Sequence, residues 1–186
     1  DETDALVPSI ESMIRNVLYG DRWAKQEFGT TSRDYMIPDC FGFPANMPSV
    51  LVHCGIQGFS SQKLTWNSAV GIPFEIGVWE GPDGAELISA LNPRAYVSRL
   101  FRKVQKNKKR LRHLERLGTQ TGVWKSFQYY GVGDIGGAPK ERSVKNAIKS
   151  IRASDDTLVV RQGRSEERRV WKECATGCRS RWSPYH

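Results

Sequence analysis

The chain has 186 residues, with 28 Lys and Arg against 20 Asp and Glu, and a formal net charge of +8. Its 39% apolar and 10% aromatic residues exclude a disordered or low-complexity chain. It contains no apolar run near the ~20 residues of a membrane helix, and its four cysteines are too few for a disulfide framework.

Hydrophobic periodicity divides the chain into alternating helices and strands. Ser9 is a suitable N-cap for a first helix, which Gly20 is expected to end. The remaining predicted elements are, in order, a helix at 22–28, a strand at 35–37, a helix at 49–54, strands at 58–66, 74–79 and 87–91, a helix at 94–117, a strand at 124–130 and a helix from Pro139 to about 151. This alternation predicts an α/β fold with mainly parallel strands.

An acidic residue, Asp39, follows the first predicted strand and precedes a loop rich in Gly and Pro. In α/β barrels the carboxyl ends of strands carry catalytic groups, because the rigid sheet positions them. Asp39 could therefore bind a hard metal, act as a nucleophile or act as an acid/base. The alternative is that it only caps the helix after the loop.

A second carboxylate, Asp134, lies in a glycine-rich stretch after the strand predicted at 124–130. The three glycines at 131, 133 and 136 formally match the dinucleotide-binding fingerprint. However, Pro139 delays the helix that should hold the pyrophosphate, and Asp134 would place a negative charge against it. The stretch is better explained by a carboxylate at a strand end, with glycines that let a substrate approach, or by a plain turn.

Basic residues are concentrated in the helix predicted at 94–117. They are Arg99, Arg102, Lys103, Lys106, Lys108, Lys109, Arg110 and Arg112. Such a cluster can contact phosphates. Most of these residues fall between the apolar positions, so the pattern favours a solvated helix face over a nucleic-acid site.

Two pairs of residues have side chains of the metal-binding type. His53 and Cys54 lie on the helix predicted at 49–54, where a packed histidine is favoured over a metal ligand. Cys174 and Cys178 are spaced Cys-x3-Cys, but a structural zinc site needs about four ligands. Neither pair alone indicates a metal site.

Residues 164–186 differ from the rest of the chain. They have no apolar periodicity, and they closely resemble the conceptual translation of a DNA sequencing adapter with a small insertion. The segment is therefore predicted to be a non-native tail, with a basic disordered tail as the alternative. Without it the chain has a smaller positive charge, which weakens any argument for an acidic partner.

Five sequence motifs, taken together, resemble a known enzyme family. They are IPDCFGFPANMP at 37–48, GFSSQKLTW at 58–66, GVWEGPDG at 77–84, ALNP at 90–93 and YYGVGDIGGAP at 129–139. The first resembles the nucleophile region of the α-mannosidases of glycoside hydrolase family 38, whose eukaryotic members show a pattern like I-D-P-F-G-H-S-x-x-M-P. The resemblance covers roughly residues 1–155 and is strongest to the bacterial branch.

The resemblance implies that residues 1–163 are an internal fragment of a seven-stranded α/β barrel, the N-terminal catalytic domain of a larger enzyme. It implies retaining hydrolysis of terminal α-mannosides of glycans, with one bound divalent metal, usually zinc. By position, Asp39 would be both the nucleophile and a metal ligand, Phe41 would shape the sugar subsite, and Lys63 would lie near the substrate. Asp134 is the candidate acid/base, and retention needs the two carboxyl groups roughly 5–5.5 Å apart.

The chain departs from the family pattern in its metal ligands. The family's His-x-Asp pair and its later His are missing, since His53 and His113 stand elsewhere. The other ligands are therefore expected from the remainder of the same polypeptide, and the fragment alone is expected to be inactive.

The alternatives are a non-catalytic carbohydrate-binding remnant of this fold or, less favoured, a basic nucleic-acid-binding protein. A mannose-containing glycan is the expected partner, with no nucleic acid and no membrane span, and localisation stays open, with export as one option in a bacterium.

Overall fold

The computed structural model describes residues 4–66 and 71–162. These residues form two compact units, one up to Asn92 and the other from Pro93. The tail predicted at 164–186, with Cys174 and Cys178, lies outside the described residues. Within the described ranges, no helix is both long and apolar enough to span a membrane.

The first unit begins with one long helix, α1 (Ile10–Phe28), where the sequence predicted two. Ser9 caps it as predicted, because its Oγ accepts a hydrogen bond from the Ser12 N–H at 3.2 Å. Gly29 ends the helix in the left-handed conformation, with φ at +70°. Gly20 does not end it, since a glycine inside a helix costs only about 1 kcal/mol and the packing of α1 on the core offsets that cost.

A four-stranded sheet follows, built from β1 (Asp34–Met36), β2 (Gly58–Ser60), β3 (Ile76–Glu80) and β4 (Glu86–Ala90). The spatial order is β1-β2-β4-β3. Strand β2 pairs in parallel with both β1 and β4, whereas β3 pairs antiparallel with β4. The predicted α/β fold with mainly parallel strands is therefore confirmed.

Strand β2 is shorter than the strand predicted at 58–66. After Ser60 the chain turns into a short 3₁₀ helix, Lys63–Thr65. The Thr65 N–H and the Thr65 hydroxyl both donate to the Gln62 carbonyl, at 3.1 and 2.8 Å, which closes this turn. The turn brings Lys63 and Trp66 close to the end of β2.

The core of the first unit lies between the sheet and helix α2 (Met47–His53). Leu51 of α2, Phe59 of β2 and Leu87 of β4 are all fully buried. Burying such a side chain contributes roughly 1.5–3 kcal/mol. Phe59 also packs edge-to-face against Trp79, with ring centroids 5.4 Å apart. This core holds β1 and β2 in the register that builds the candidate site.

The second unit contains helices α3 (Lys108–Thr121) and α4 (Glu141–Arg152). The helix predicted at 94–117 is wrong over its first part, where only a 3₁₀ turn, Val104–Lys106, is helical. Here the backbone bonds to α4 instead: the Leu100 N–H donates to Ser143 Oγ at 3.1 Å, and the Val104 N–H donates to Ser150 Oγ at 3.0 Å. In this segment, hydrogen bonds to side chains of α4 thus replace the backbone hydrogen bonds of a continuous helix.

The strand predicted at 124–130 is also wrong. Its residues form no sheet ladder, and the backbone makes isolated bonds to the segment that follows Pro93. The Tyr129 N–H donates to the Pro93 carbonyl at 2.7 Å, and the Gly131 N–H donates to the Ser98 carbonyl at 3.0 Å. The helix predicted from Pro139 is confirmed, beginning two residues later at Glu141.

Candidate active site

Asp39 and Lys63 follow two neighbouring parallel strands, β1 and β2, and lie at the same edge of the sheet. Met36, the last residue of β1, is level with Ser60, the last residue of β2. Asp39 lies three residues beyond the first and Lys63 three residues beyond the second. The two side chains meet, with 2.8 Å between Lys63 Nζ and Asp39 Oδ1. The sequence placed both residues in the site, and the structure brings them together.

Two aromatic rings flank this ion pair. Lys63 Nζ lies 3.6 Å from the centroid of the Trp66 ring and 5.1 Å from that of the Phe41 ring. Both distances are within the range of cation–π attraction. Phe41 is 82% exposed and Trp66 is 60% exposed, whereas the Lys63 side chain is only 9% exposed. The rings thus cover the ammonium group while their other surfaces stay open to solvent.

Sequence reasoning missed Trp66. The signal that could have found it is its spacing from Lys63, because side chains three residues apart eclipse each other in a 3₁₀ turn. It also missed Ser61, which is fully buried directly after β2. Among the described residues, Ser61 Oγ has no hydrogen-bond partner, which is unusual for a buried polar group.

The candidate acid/base, Asp134, lies in the second unit on a strained piece of backbone. Its φ of +64° is uncommon for a residue with a side chain. The Tyr96 hydroxyl donates a hydrogen bond of 3.0 Å to Asp134 Oδ1. A Cβ added at Gly133 would overlap the Tyr96 ring, so only glycine fits there. Asp39 belongs to the first unit, and the separation of the two carboxyl groups stays a prediction.

The described residues do not make a metal site by themselves. Within 4–66 and 71–162, no group of three or more His, Cys, Asp or Glu side chains could hold a metal ion. Asp39 supplies one carboxylate, and the ammonium beside it is not a metal ligand. A zinc site needs three or four protein ligands, so the predicted metal would need donors from elsewhere.

His53 was predicted to be packed in the interior, and this prediction is wrong. Its side chain is 72% exposed, and its Nε2 lies 2.8 Å from Asp83 Oδ2. Ser49 Oγ donates a hydrogen bond of 2.5 Å to Asp83 Oδ1. The bonds from Ser49, His53 and the Ala85 N–H lower the pKa of Asp83 to about 2. These contacts, here called the Asp83 clasp, tie the β3–β4 turn to α2.

Comparisons with known proteins agree with the motifs. The family model described as "Glycosyl hydrolases family 38 N-terminal domain" matches residues 1–167. Alpha-mannosidase G of Dictyostelium discoideum is 35% identical over 144 residues, which are 74% of this chain and 12% of that protein. Alpha-mannosidase 2C1 of Homo sapiens is 32% identical over 162 residues, 83% of this chain and 14% of that protein. The chain thus spans a small part of these relatives.

A solved structure shares the fold. The crystal structure of an alpha-mannosidase from Enterococcus faecalis V583 matches 93% of this chain and 19% of its own chain, with a TM-score of 0.64 at 17% identity. At that identity the likeness shows the fold alone. Membership follows from the family model and the curated relatives: the chain belongs to the glycosyl hydrolases of family 38, with residues 1–167 matching their N-terminal domain.

Proposed function

We propose that this chain is part of the catalytic domain of a retaining α-mannosidase that removes terminal α-mannosyl residues from glycans. The observation that carries the proposal is the Asp39 carboxylate at the end of β1, paired with Lys63 and flanked by exposed Phe41 and Trp66 rings. Exposed aromatic rings beside a carboxylate suit the apolar face of a sugar. The α-mannosidase names of the relatives support the choice of sugar.

In this proposal Asp39 is the nucleophile. It attacks the anomeric carbon, the bond to the leaving oxygen breaks, and a covalent glycosyl–enzyme forms. The Lys63 ammonium favours the ionised carboxylate before attack. In the second step, water replaces Asp39 at the anomeric carbon, and the same ammonium stabilises the negative charge that returns to the departing carboxylate.

Asp134 is proposed as the general acid/base. As an acid it gives a proton to the leaving oxygen, and as a base it then takes a proton from the attacking water. The hydrogen bond from Tyr96 to Oδ1 orients this carboxyl group. Asp134 lies within a glycine-rich stretch, where Gly133 packs against the Tyr96 ring so closely that a larger residue would displace the ring holding this carboxyl group.

A divalent metal, zinc by resemblance, is proposed to bind Asp39 together with ligands from the rest of a longer polypeptide. When bound, it would supply electrostatic stabilisation and hold sugar hydroxyls.

The same longer polypeptide is proposed to complete a seven-stranded barrel around the four described strands. The relatives, of which this chain spans 12–14%, support this proposal. We therefore expect the 186-residue chain alone to be inactive.

The test is hydrolysis of 4-nitrophenyl α-mannoside by the full-length protein that carries this chain. We expect Asp39→Asn to lower kcat by at least about 10³-fold, on the order of losses for catalytic nucleophiles, and NMR to show the α-anomer as first product. Asp156→Asn, an exposed and matched control, should keep activity. Near-normal turnover by the Asp39 variant would disprove the assignment. Mannose binding without hydrolysis by the wild type would favour the carbohydrate-binding remnant.

A further inference from the structure

The second unit contains a cavity of about 970 Å³. Its walls come from the segment that follows Pro93, from the first turn of α3 and from Gln128. Asp134 and Tyr96 are not among its lining residues. The volume is at the upper end of the range of small-molecule sites, about 300–1,000 Å³. The cavity is therefore large enough for a ligand of the size of a disaccharide or a nucleotide.

Positive charge dominates this cavity. Half of its fourteen lining residues are Lys or Arg, and none of the lining residues is Asp or Glu. Six of these cations are exposed to solvent: Arg94, Arg99, Arg102, Lys106, Lys108 and Lys109. No ion pair within the described residues involves any of these six. Their charge is thus available to a ligand.

The seventh cation, Arg110, is built into the cavity wall. It is buried, and its guanidinium donates hydrogen bonds to Gln128 Oε1 and, at 3.1 Å, to Ser126 Oγ. These bonds fix a planar cation that suits tetrahedral oxyanions. The lining at this point is a rigid structure and not only a set of mobile surface side chains.

Helix α3 adds to the positive potential. Its first residue, Lys108, lies in the cavity lining, so the positive end of the helix dipole is located there. Seven like charges around one concave space repel each other, and a concave protein surface strengthens this field. A bound anion with several charges would relieve that repulsion, whereas a neutral sugar would not.

We propose that this cavity binds a small molecule carrying two or more phosphate or sulfate groups, such as a phosphorylated or sulfated saccharide. Several groups are expected because seven Lys and Arg residues share one cavity lining that contains no Asp or Glu, and a single phosphate or sulfate would compensate only a small part of that charge. A single strand of nucleic acid fits less well, since Phe101 is the only aromatic side chain in the lining and stacking on aromatic rings normally holds the bases.

The experiment is isothermal titration calorimetry on the full-length protein with two probes, pyrophosphate and a disulfated disaccharide, at about 50 and 200 mM NaCl. We expect saturable one-to-one binding that weakens with salt. Arg99→Gln combined with Arg102→Gln should weaken binding at least about tenfold. A diphosphorylated disaccharide is compared with the disulfated one, and the tighter member of this matched pair identifies phosphate or sulfate as the natural group. Both changed arginines are exposed, so the fold should be kept.

The matched control is Arg142→Gln combined with Arg152→Gln, which removes the same charge from exposed positions on α4 outside the cavity lining. It should change the affinity less than twofold. Equal weakening by the two double variants would overturn the proposal, because net charge alone would then explain binding. So would the absence of saturable binding by both probes. A 20-nucleotide DNA strand that binds far tighter than either probe would indicate a nucleic-acid surface instead.

Discussion

Lys63 Nζ and Asp39 Oδ1 lie 2.8 Å apart because their strands are neighbours in register, although they are well separated in sequence. The contact compensates the charge of a lysine whose side chain is 9% exposed. A buried ammonium without a counter-charge would be costly. The ion pair therefore stabilises the lysine, and in the proposed mechanism it also keeps the nucleophile ionised.

Replacing Lys63 by Met should lower kcat/KM of the full-length enzyme by roughly 10²-fold, on the order of losing one charged group that stabilises a transition state. The loss is expected because the ammonium 2.8 Å from Asp39 Oδ1 no longer stabilises the negative charge that returns to the carboxylate. Lys63→Arg should restore part of the activity. The control is Lys25→Met, exposed on α1. An unchanged kcat/KM for Lys63→Met would show that Lys63 does not act on the nucleophile.

Trp66→Ala should weaken catalysis less than Lys63→Met. The Trp66 ring centroid lies 3.6 Å from Lys63 Nζ, so the ring acts on the ammonium group and not directly on the Asp39 carboxylate. A cation–π contact of about 0.5–2 kcal/mol corresponds to a loss of roughly 2- to 30-fold in kcat/KM. Trp66→Phe should keep most of the activity. Trp23→Ala, at a similarly exposed position on α1, is the matched control. Equal losses for the Phe and Ala variants would contradict the role of the aromatic face.

The elements of the fold that depend on local sequence patterns could be predicted from the sequence. Strand β1 and helices α2 and α4 follow from apolar runs and from the positions of Pro and Gly. The segment that follows Pro93 was not predictable, because its backbone bonds go to Ser143 and Ser150, far away in sequence. Gly20 was misleading for a similar reason, since packing of α1 on the core outweighs the local preference of a glycine.

In the candidate site, too, some features follow from the sequence, whereas others depend on contacts between residues that are distant in sequence. The residues Asp39, Phe41 and Lys63 could be named from family motifs, but the contact between the first and the third depends on the pairing of β1 with β2. Trp66 ends one of the family motifs, but its contact with the ammonium depends on the 3₁₀ turn that precedes it. His53 was misplaced because its partner, Asp83, comes from the β3–β4 turn.

The proposed acid/base role of Asp134 can be tested by comparing, in the Asp134→Asn variant, a substrate whose leaving group needs a proton with one whose leaving group does not. The variant should lose about 10²–10⁴-fold in kcat with methyl α-mannoside, which needs a proton on its leaving oxygen. The glycosylation step with 2,4-dinitrophenyl α-mannoside should be affected little, since that leaving group departs without protonation. Added azide should speed release of the glycosyl–enzyme because it needs no general base. Equal loss with both substrates and no effect of azide would remove Asp134 from this role.

The Asp83 clasp should make stability depend on acid pH. Its hydrogen bonds lower the pKa of Asp83 to about 2 from the ordinary value of 3.8, so the folded state favours the ionised carboxylate. The contribution to stability is therefore fully present above about pH 4 and is lost as the pH falls through about 2. The Tm of Asp83→Asn should lie below that of the wild type at pH 6, and the difference should shrink towards pH 2. The control is Asp156→Asn, which removes an exposed carboxylate outside the clasp. A difference for Asp83→Asn that stays constant with pH would contradict the clasp.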